Sequence, residues 1–335
     1  MALHDSSSRG EIRSRSCPNC YLCGSEGELL YEGLKDWLYG APGTWNFKLC
    51  SKPACGLLWF DPMPLYEDIE KAYVSYYTHQ APLPNGSRQT RRGFVGRILH
   101  KSFYLVLKAT LIHLERRRLD LMYVGSLSPG KLLDVGCGGG SRLGQLRALG
   151  WDVQGQEVDP KAAAQARNIY GVPVYLGRLE DAAFPDASFD AILMSHVIEH
   201  VHDPVRLLAE CIRVLKRGGT LVVVTPNAES YGHKRFGSYW RGLEPPRHLY
   251  LFSQGTLRAI AAEAGFVKCD TWTSAANASG YALGSFENKA SALGELAGVA
   301  GLDRRIWAAA YQFSMSLAHR ANPRAGEECC LKATR

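Results

Sequence analysis

The sequence lacks a long uncharged apolar run, and it lacks the apolar core of a secretory signal. Residues 1–16 are polar and contain three arginines, and the apolar positions of 94–123 are interrupted by lysines and arginines. A membrane-spanning helix needs about 20 mostly apolar residues, so neither segment fits one. We therefore interpret 1–16 as a disordered tail and expect a cytoplasmic protein.

Charge of one sign is in only mild excess over the whole chain. The 39 Lys and Arg residues exceed the 32 Asp and Glu residues, which gives a net charge of +7 spread over 335 residues. This mild excess would suit an anionic substrate or surface. It is too diffuse to indicate nucleic acid, which we do not expect as a partner.

Two common phosphate-binding signatures are missing from the glycine-rich segment. A short apolar run at 132–135 leads into Gly136, Gly138, Gly139 and Gly140. The third glycine of the dinucleotide fingerprint would fall at Ser141, and no Gly-Lys-Ser/Thr loop is present. Such glycine density has a conformational cost, which a sharp strand-to-helix turn lying against a ligand explains. The pattern predicts that turn, followed by a helix at 141–149.

The segment Asp134-Val-Gly-Cys-Gly-Gly-Gly140 resembles motif I of class I S-adenosylmethionine-dependent methyltransferases, Asp/Glu-x-Gly-x-Gly-x-Gly, at every position. The resemblance implies an α/β fold with a seven-stranded Rossmann-like sheet and S-adenosylmethionine as cofactor. It also implies that the cofactor-binding residues include Asp134, Gly136, Gly138 and Gly140.

An acidic residue that binds the ribose is expected about 20 residues after the glycine loop. Glu157, after a strand-like run at 151–156, is our choice. Asp159 is the alternative, although its place before Pro160 is typical of a helix N-cap. The fourth strand, 189–195, ends at Ser195, which we also place in the cofactor site.

The adenine side departs from the family pattern. After a strand at 172–176, Arg178 stands where the family usually has Asp. Leu179, Glu180 or a backbone amide is then left to read the adenine, and we choose Leu179.

The remaining elements agree with a methyltransferase domain at 129–335. We expect a helix at 205–215 ended by Gly218 and Gly219, and a fifth strand at 220–225. Two late strands, 267–274 and 327–333, would complete the sheet around a helical insertion at 275–322.

Five of the ten cysteines precede residue 56, as Cys17-x2-Cys20-x2-Cys23-Gly and Cys50-x4-Cys55-Gly. A cytoplasmic disulfide framework is not expected. Paired cysteines of this spacing are typical of a structural zinc site, and we choose Cys20, Cys23, Cys50 and Cys55 as ligands. Cys17 offers a second register, and reduced cysteines that merely pack are the alternative hypothesis.

Residues 17–78 resemble the zinc-ribbon module that precedes the methyltransferase domain in many bacterial enzymes of polysaccharide, glycolipid and secondary-metabolite assembly. Residues 79–128 are interpreted as a linker and a lid helix, because apolar residues recur with helical spacing over 94–123. We expect this helix to cover the cofactor. Peripheral contact with a membrane that carries a lipid-linked substrate is the other interpretation.

Methyl transfer to a hydroxyl requires alignment and removal of a proton. His196, His200 and His248 are the candidate bases, and His196 follows the fourth strand at the edge where such sheets bind ligands. We choose His248 as base or substrate contact and His196 as a wall of the catalytic pocket.

Aromatic rings stack on sugars and arginines pair with anionic groups. The polar, aromatic segment 239–253 therefore supplies the expected acceptor contacts, which are Tyr239, Trp240 and Arg247.

The sequence thus predicts a methyltransferase that acts on a small molecule or glycan precursor, at oxygen in preference to nitrogen or carbon. An RNA base methyltransferase is one alternative, but the Asn/Asp-Pro-Pro-Tyr motif of enzymes that methylate base amines is absent. A non-catalytic scaffold with a methyltransferase fold is the other.

Overall fold

A computed structural model describes residues 10–74, 112–295 and 301–335, with side chains described from residue 306 in the last segment. Most of the predicted tail, the linker and nearly all of the predicted lid helix 94–123 lie outside the described residues. Within the part of the predicted tail that is described, Ser14 and Arg15 pair with Met63 and Pro64 in a two-stranded sheet.

The glycine loop lies between the strand Lys131–Val135 and the helix Ser141–Ala148. The strands are β1 (Ser14–Arg15), β2 (Gly27–Leu34), β3 (Trp45–Cys50), β4 (Leu58–Phe60), β5 (Met63–Pro64), β6 (Lys131–Val135), β7 (Asp152–Glu157), β8 (Val174–Leu176), β9 (Phe189–Ser195), β10 (Leu215–Pro226), β11 (Tyr250–Leu251), β12 (Lys268–Ser274) and β13 (Glu328–Thr334). The helices are α1 (Ile112–Asp120), α2 (Ser141–Ala148), α3 (Pro160–Tyr170), α4 (Pro204–Val214), α5 (Tyr231–Phe236), α6 (Gln254–Glu263), α7 (Ala278–Ala292) and α8 (Gly301–Ala321).

The N-terminal antiparallel sheet has the strand order β11-β4-β3-β2. Its core is aromatic: Phe47 stacks on Phe60 with ring centroids 4.1 Å apart, and the buried Trp59 donates from Nε1 to the carbonyl of Cys17. The edge strand β11 comes from residues far along the chain, so the 17–78 segment is not complete by itself. A sequence-based domain boundary could not show this, because the pairing joins residues about 190 positions apart.

The large sheet has seven strands in the order β12-β13-β10-β9-β6-β7-β8. Strands β6 to β10 pair in parallel, and β13 runs antiparallel to both β10 and β12. The predicted seven-stranded Rossmann-like sheet is confirmed. The chain leaves β6 toward β7 on one side and returns on the other side as β9, which creates the crevice where open α/β sheets bind ligands.

The end of α4 differs from the prediction. The helix ends at Val214, and β10 already begins at Leu215 with an irregularity in its pairing between Leu215 and Thr220. Gly218, at φ 77°, therefore lies inside the irregular strand and does not terminate the helix. Glycines fit a bulge as well as a helix end, which is why the local pattern was ambiguous.

The predicted insertion at 275–322 consists of α7 and α8, which pack against each other through Tyr311, Met315 and Ala282. Helix α1 lies beside the start of α7, where Arg116 Nη2 donates to the carbonyl of Ala276 at 3.1 Å. None of the helices in the described residues has the length and apolarity needed to cross a membrane.

Candidate functional site

The glycine loop leaves β6 through three residues in the left-handed region, Gly136, Gly138 and Gly140. A Cβ at Gly136 would lie 2.4 Å from Val197 Cγ2, so side chains larger than hydrogen are excluded there. At Gly138 nothing lies within 4 Å of a Cβ position, and its φ of 53° alone favours glycine. The loop thus combines tight packing beneath it with open space above Gly138.

Glu157, the last residue of β7, contacts this loop. Its Oε2 accepts a hydrogen bond from the backbone nitrogen of Gly138 at 2.7 Å, and its Oε1 accepts from Val158 and Asp159 at 2.8 and 3.0 Å. Burial raises the pKa of Glu157, and these hydrogen bonds oppose that shift. Asp159 instead accepts from the backbone nitrogen of Lys161, as expected of the N-cap of α3.

Asp134 lies fully buried beneath the glycine loop. Neither carboxylate oxygen has a hydrogen-bond partner among the described residues, and Arg142 Nη1 is 3.7 Å away. Burial raises the pKa of Asp134 to about 6, although the Arg142 guanidinium opposes the shift. Buried carboxylates normally have donors, so this one has the character of a ligand-binding group whose partner is supplied from outside.

Of the two further predicted cofactor residues, one lies beside the glycine loop and the other in the hydrophobic core. Ser195 ends β9 beside the loop, and its hydroxyl accepts from Arg142 Nη2 at 3.2 Å. Leu179 packs in the main core and is only 1% exposed, so its role in reading the adenine stays a prediction. Arg178, at the unusual position, lies over the ring of Tyr66 at 5.1 Å.

His196 lies at the carboxyl end of β9 with φ of 54°, which is uncommon for a residue with a side chain and occurs at functional sites. Its Nδ1 is 3.2 Å from Glu199 Oε1 and its Nε2 is 3.1 Å from Glu328 Oε1. Burial disfavours the charged imidazole, but the hydrogen bonds to Glu199 and Glu328 outweigh it and raise the pKa to about 10. The His196 side chain is 37% exposed and so can meet a ligand.

The other two histidines contact backbone carbonyls. His248 is 4% exposed, its Nδ1 hydrogen-bonds to the carbonyl of Gly242 at 2.7 Å, and burial lowers its pKa to about 4. His200 Nδ1 is 3.0 Å from the carbonyl of Arg247, and burial lowers the pKa of this imidazole as well. Of the three candidate bases, His248 is therefore the most buried.

Sequence reasoning missed the buried carboxylates around these histidines. Glu199 is fully buried between His196 and Thr225, whose hydroxyl donates to Glu199 Oε2 at 2.9 Å. The signal was present, because Glu199 lies in the same short His-Val-Ile-Glu-His segment. Glu328 could be found only from the tertiary structure, since it reaches His196 from 132 residues away.

The prediction that Arg247 and Trp240 contact the acceptor is not supported by their positions. Arg247 is fully buried, and its guanidinium donates to Asp36 at 2.7 Å, to Glu244 at 3.1 Å and to the carbonyl of Ala72 at 2.7 Å. Trp240 is also fully buried. A cation this buried needs several internal partners, and these use its donors. Both residues therefore hold the loop in place.

Tyr239, the third predicted acceptor contact, is partly exposed. Its carbonyl accepts from Asn288 Nδ2 on α7 at 3.2 Å, which ties the loop to the helical insertion. Its contact with an acceptor stays a prediction.

The structure brings the four chosen thiols together. The sulfurs of Cys20 and Cys55 are 3.7 Å apart, those of Cys23 and Cys50 are 3.4 Å apart, and all four lie within 4.8 Å of one another. Four sulfurs around a zinc ion at bond lengths of about 2.3 Å would lie about 3.8 Å apart. Cys17 is not in this group; its backbone nitrogen donates to Asp61 Oδ1 at 2.8 Å.

Residues 112–270 match the family model of a methyltransferase domain. The chain is 32% identical over 137 residues to a protein of Mycobacterium tuberculosis named a probable S-adenosylmethionine-dependent methyltransferase, covering 41% of this chain and 48% of that protein. It is 35% identical over 117 residues to a ubiquinone biosynthesis O-methyltransferase of Cereibacter sphaeroides, covering 33% and 47%. The chain thus spans about half the length of these curated relatives.

Among solved structures, a S-adenosylmethionine-dependent methyltransferase from Archaeoglobus fulgidus aligns over 70% of this chain and 99% of its own, with a TM-score of 0.46 and 18% identity.

Proposed function

We propose that this chain, whose residues 112–270 form an S-adenosylmethionine-dependent methyltransferase domain, transfers a methyl group to a hydroxyl of a small molecule or glycan precursor. The observation that carries the proposal is the buried carboxylate of Asp134 beneath the glycine loop, which lacks a hydrogen-bond donor among the described residues. S-adenosylmethionine carries an ammonium and a sulfonium, and a carboxylate in a dry site attracts such cations strongly.

The residues around the loop fit this cofactor. The open space above Gly138 lets a ligand approach the backbone, and Glu157 lies against the same loop with acceptor oxygens suited to ribose hydroxyls. Bound S-adenosylmethionine would supply an electrophilic methyl group. The residues that would hold and orient the cofactor are Asp134, Gly138 and Glu157. Because Asp134 is buried, its attraction for the cofactor's positive charges would be stronger than in water.

We assign the acceptor to the side of the crevice occupied by His196. A hydroxyl that accepts a methyl group must lose its proton, and the Glu199–His196–Glu328 group offers buried carboxylates bridged by an accessible imidazolium. The two carboxylates that His196 bridges supply lone pairs able to accept that proton. The choice of oxygen is supported by the relatives named O-methyltransferases. The earlier choice of His248 as base stays a prediction.

We also propose that Cys20, Cys23, Cys50 and Cys55 bind one structural zinc ion. The four sulfurs are already near the spacing of a tetrahedral site. Such an ion would stabilise the N-terminal sheet, whose small aromatic core is completed by β11 from the catalytic part of the chain.

Calorimetric titration with S-adenosylmethionine and S-adenosylhomocysteine tests the main proposal. We expect micromolar binding that is abolished by Gly138→Arg, because the added side chain fills the space above the loop. Asp190→Asn is a matched control, since Asp190 is a carboxylate at the other end of the same sheet, paired with Lys216 near the surface. A folded chain without cofactor binding would instead favour the scaffold hypothesis. With binding established, sugar nucleotides and lipid-linked glycans are the first acceptors to test.

A further inference from the structure

A second group of metal-ligating side chains lies outside the cysteine cluster. Glu199, His200 and His248 place one carboxylate oxygen and one nitrogen of each imidazole within 4.8 Å of one another. The three residues come from two separate loops, after β9 and before β11, which pack together in the core. The two imidazole rings meet edge to face with centroids 4.6 Å apart.

The hydrogen bonds of the two histidines fix which nitrogen is available. His248 Nδ1 lies 2.7 Å from the carbonyl of Gly242, and His200 Nδ1 lies 3.0 Å from the carbonyl of Arg247. A carbonyl can only accept, so His248 Nδ1 must carry the proton and the lone pair of this neutral ring is on Nε2. His200 Nδ1 also lies 2.9 Å from the Tyr73 hydroxyl, and its lone pair is on Nε2 when Nδ1 donates to the Arg247 carbonyl. Metal-binding histidines commonly donate their other N–H to a carbonyl in this way.

A carboxylate oxygen faces His248 Nε2. Glu244 Oε2 lies 3.5 Å from it, which is longer than the roughly 2.7–3.2 Å of an N–H···O hydrogen bond. A metal ion bound to Nε2 would also be attracted by this oxygen. Glu244 is itself paired with Arg241 and Arg247, so it lies beside the three-ligand group and is not counted within it.

Glu199 retains capacity for a metal bond. Its Oε1 contacts His196 Nδ1 and its Oε2 accepts from Thr225, so each oxygen has one partner and a second lone pair. We propose that Glu199, His200 and His248 bind a divalent transition-metal ion, zinc or a zinc-like ion, through one oxygen and two Nε2 atoms. Two histidines and one glutamate are a set found in zinc sites that keep a fourth position open.

This site shares Glu199 with the Glu199–His196–Glu328 group of the proposed methyl transfer, and it changes the expected role of His248. A metal on Nε2 occupies the lone pair that a general base would need. His248 would then be a ligand, and it would not accept the proton of the acceptor.

Stoichiometric titration of the metal-free chain with Co2+ tests the inference, because thiolate-bound Co2+ absorbs strongly in the near-ultraviolet and Co2+ bound by nitrogen and oxygen does not. We expect two equivalents per chain. Cys23→Ser should diminish the near-ultraviolet band and leave the second equivalent in place. His248→Gln and His200→Gln should each lose that second equivalent and keep the thiolate band.

His202→Gln is the matched control, since His202 lies in the same segment and hydrogen-bonds to the carbonyl of Pro64, outside the group. Two equivalents in His248→Gln, or a single equivalent with the full thiolate band in the unaltered chain, would overturn the inference. Circular dichroism shows whether each variant folds. If a variant does not fold, the number of Co2+ equivalents bound by the unaltered chain still tests the inference. Because the readout is metal content, failure here is separate from failure of cofactor binding.

Discussion

The carboxylate of Glu157 accepts a 2.7 Å hydrogen bond from the backbone nitrogen of Gly138, which joins the end of β7 to the glycine loop after β6. One residue therefore both shapes the loop and lies where the ribose is expected. The glycine loop and the acid are separated by 19 residues in sequence. This contact relates the cofactor site directly to the sequence motif.

Glu157→Gln should weaken binding of S-adenosylmethionine while the protein remains folded. The amide keeps one acceptor oxygen but loses the charge, and charged hydrogen bonds are worth about 1.5–3 kcal/mol. We expect the dissociation constant to rise by about 10- to 100-fold, measured by calorimetry. Asp159→Asn, which retains the acceptor oxygen of the α3 N-cap, should change it little. A larger rise in the dissociation constant for Asp159→Asn than for Glu157→Gln would make Asp159 the ribose ligand.

Asp134 should make cofactor binding depend on pH. Its pKa is about 6 in the free chain, and a cationic ligand favours the ionised form, so binding releases a proton. Affinity should therefore rise with pH below about 6, by up to about tenfold per pH unit, and level off above it. Calorimetry at pH 5 to 8 measures this slope. In Asp134→Asn the slope should vanish together with most of the affinity; an unchanged slope would assign it to another group.

The same shift predicts a change in stability. A carboxyl whose pKa is raised by folding binds its proton more tightly when folded, so its contribution to stability falls as pH rises from about 4 to 6. Asp134→Asn should accordingly raise the melting temperature of the ligand-free chain at pH 7 more than at pH 4. Equal effects at both pH values would show that the charge of Asp134 is not the cause.

The residues chosen for the cofactor side of the candidate site rest on local signals in the sequence. The glycines need positive φ or close packing, and Glu157 and Asp159 follow a strand at a characteristic distance. The acceptor side depends on tertiary contacts. Glu328 contacts His196 from the last strand, and Arg247 pairs with Asp36, 211 residues away in sequence. No local pattern therefore shows that the His196 side chain is partly exposed and that Arg247 is buried.

His196→Gln should separate methyl transfer from cofactor binding. The amide cannot carry the positive charge held between Glu199 and Glu328, so two buried carboxylates lose their shared cation. Once an acceptor is known, we expect kcat to fall by about 100-fold or more, because the carboxylates that accept the proton lose the imidazolium that orients them and proton transfer contributes on this scale. The affinity for S-adenosylmethionine should change little. Comparable kcat in the variant would exclude His196 from the reaction.

Cys23→Ser should lower zinc content and loosen the N-terminal sheet. A thiolate bound to zinc is also a fold-stabilising cross-link, so loss of one ligand weakens both. Cys17→Ser is the control, since Cys17 lies outside the four-sulfur group. Zinc measured by mass spectrometry should be about one equivalent in the control and well below that in Cys23→Ser. Normal zinc in Cys23→Ser and loss in Cys17→Ser would establish the other register.

Arg247→Ala tests whether this arginine is structural or an acceptor contact. Its removal leaves Asp36 without its 2.7 Å partner and Glu244 with one arginine fewer, all in the interior. Breaking a buried ion pair from one side costs about 3–5 kcal/mol, whereas exposed pairs contribute about 0–1 kcal/mol. We therefore expect a marked loss in the free energy of unfolding from denaturant titration, and a small one for Arg206→Ala on the exposed face of α4. If Arg247→Ala keeps its stability and instead raises KM for the acceptor, the arginine contacts substrate; its complete burial makes us expect the opposite.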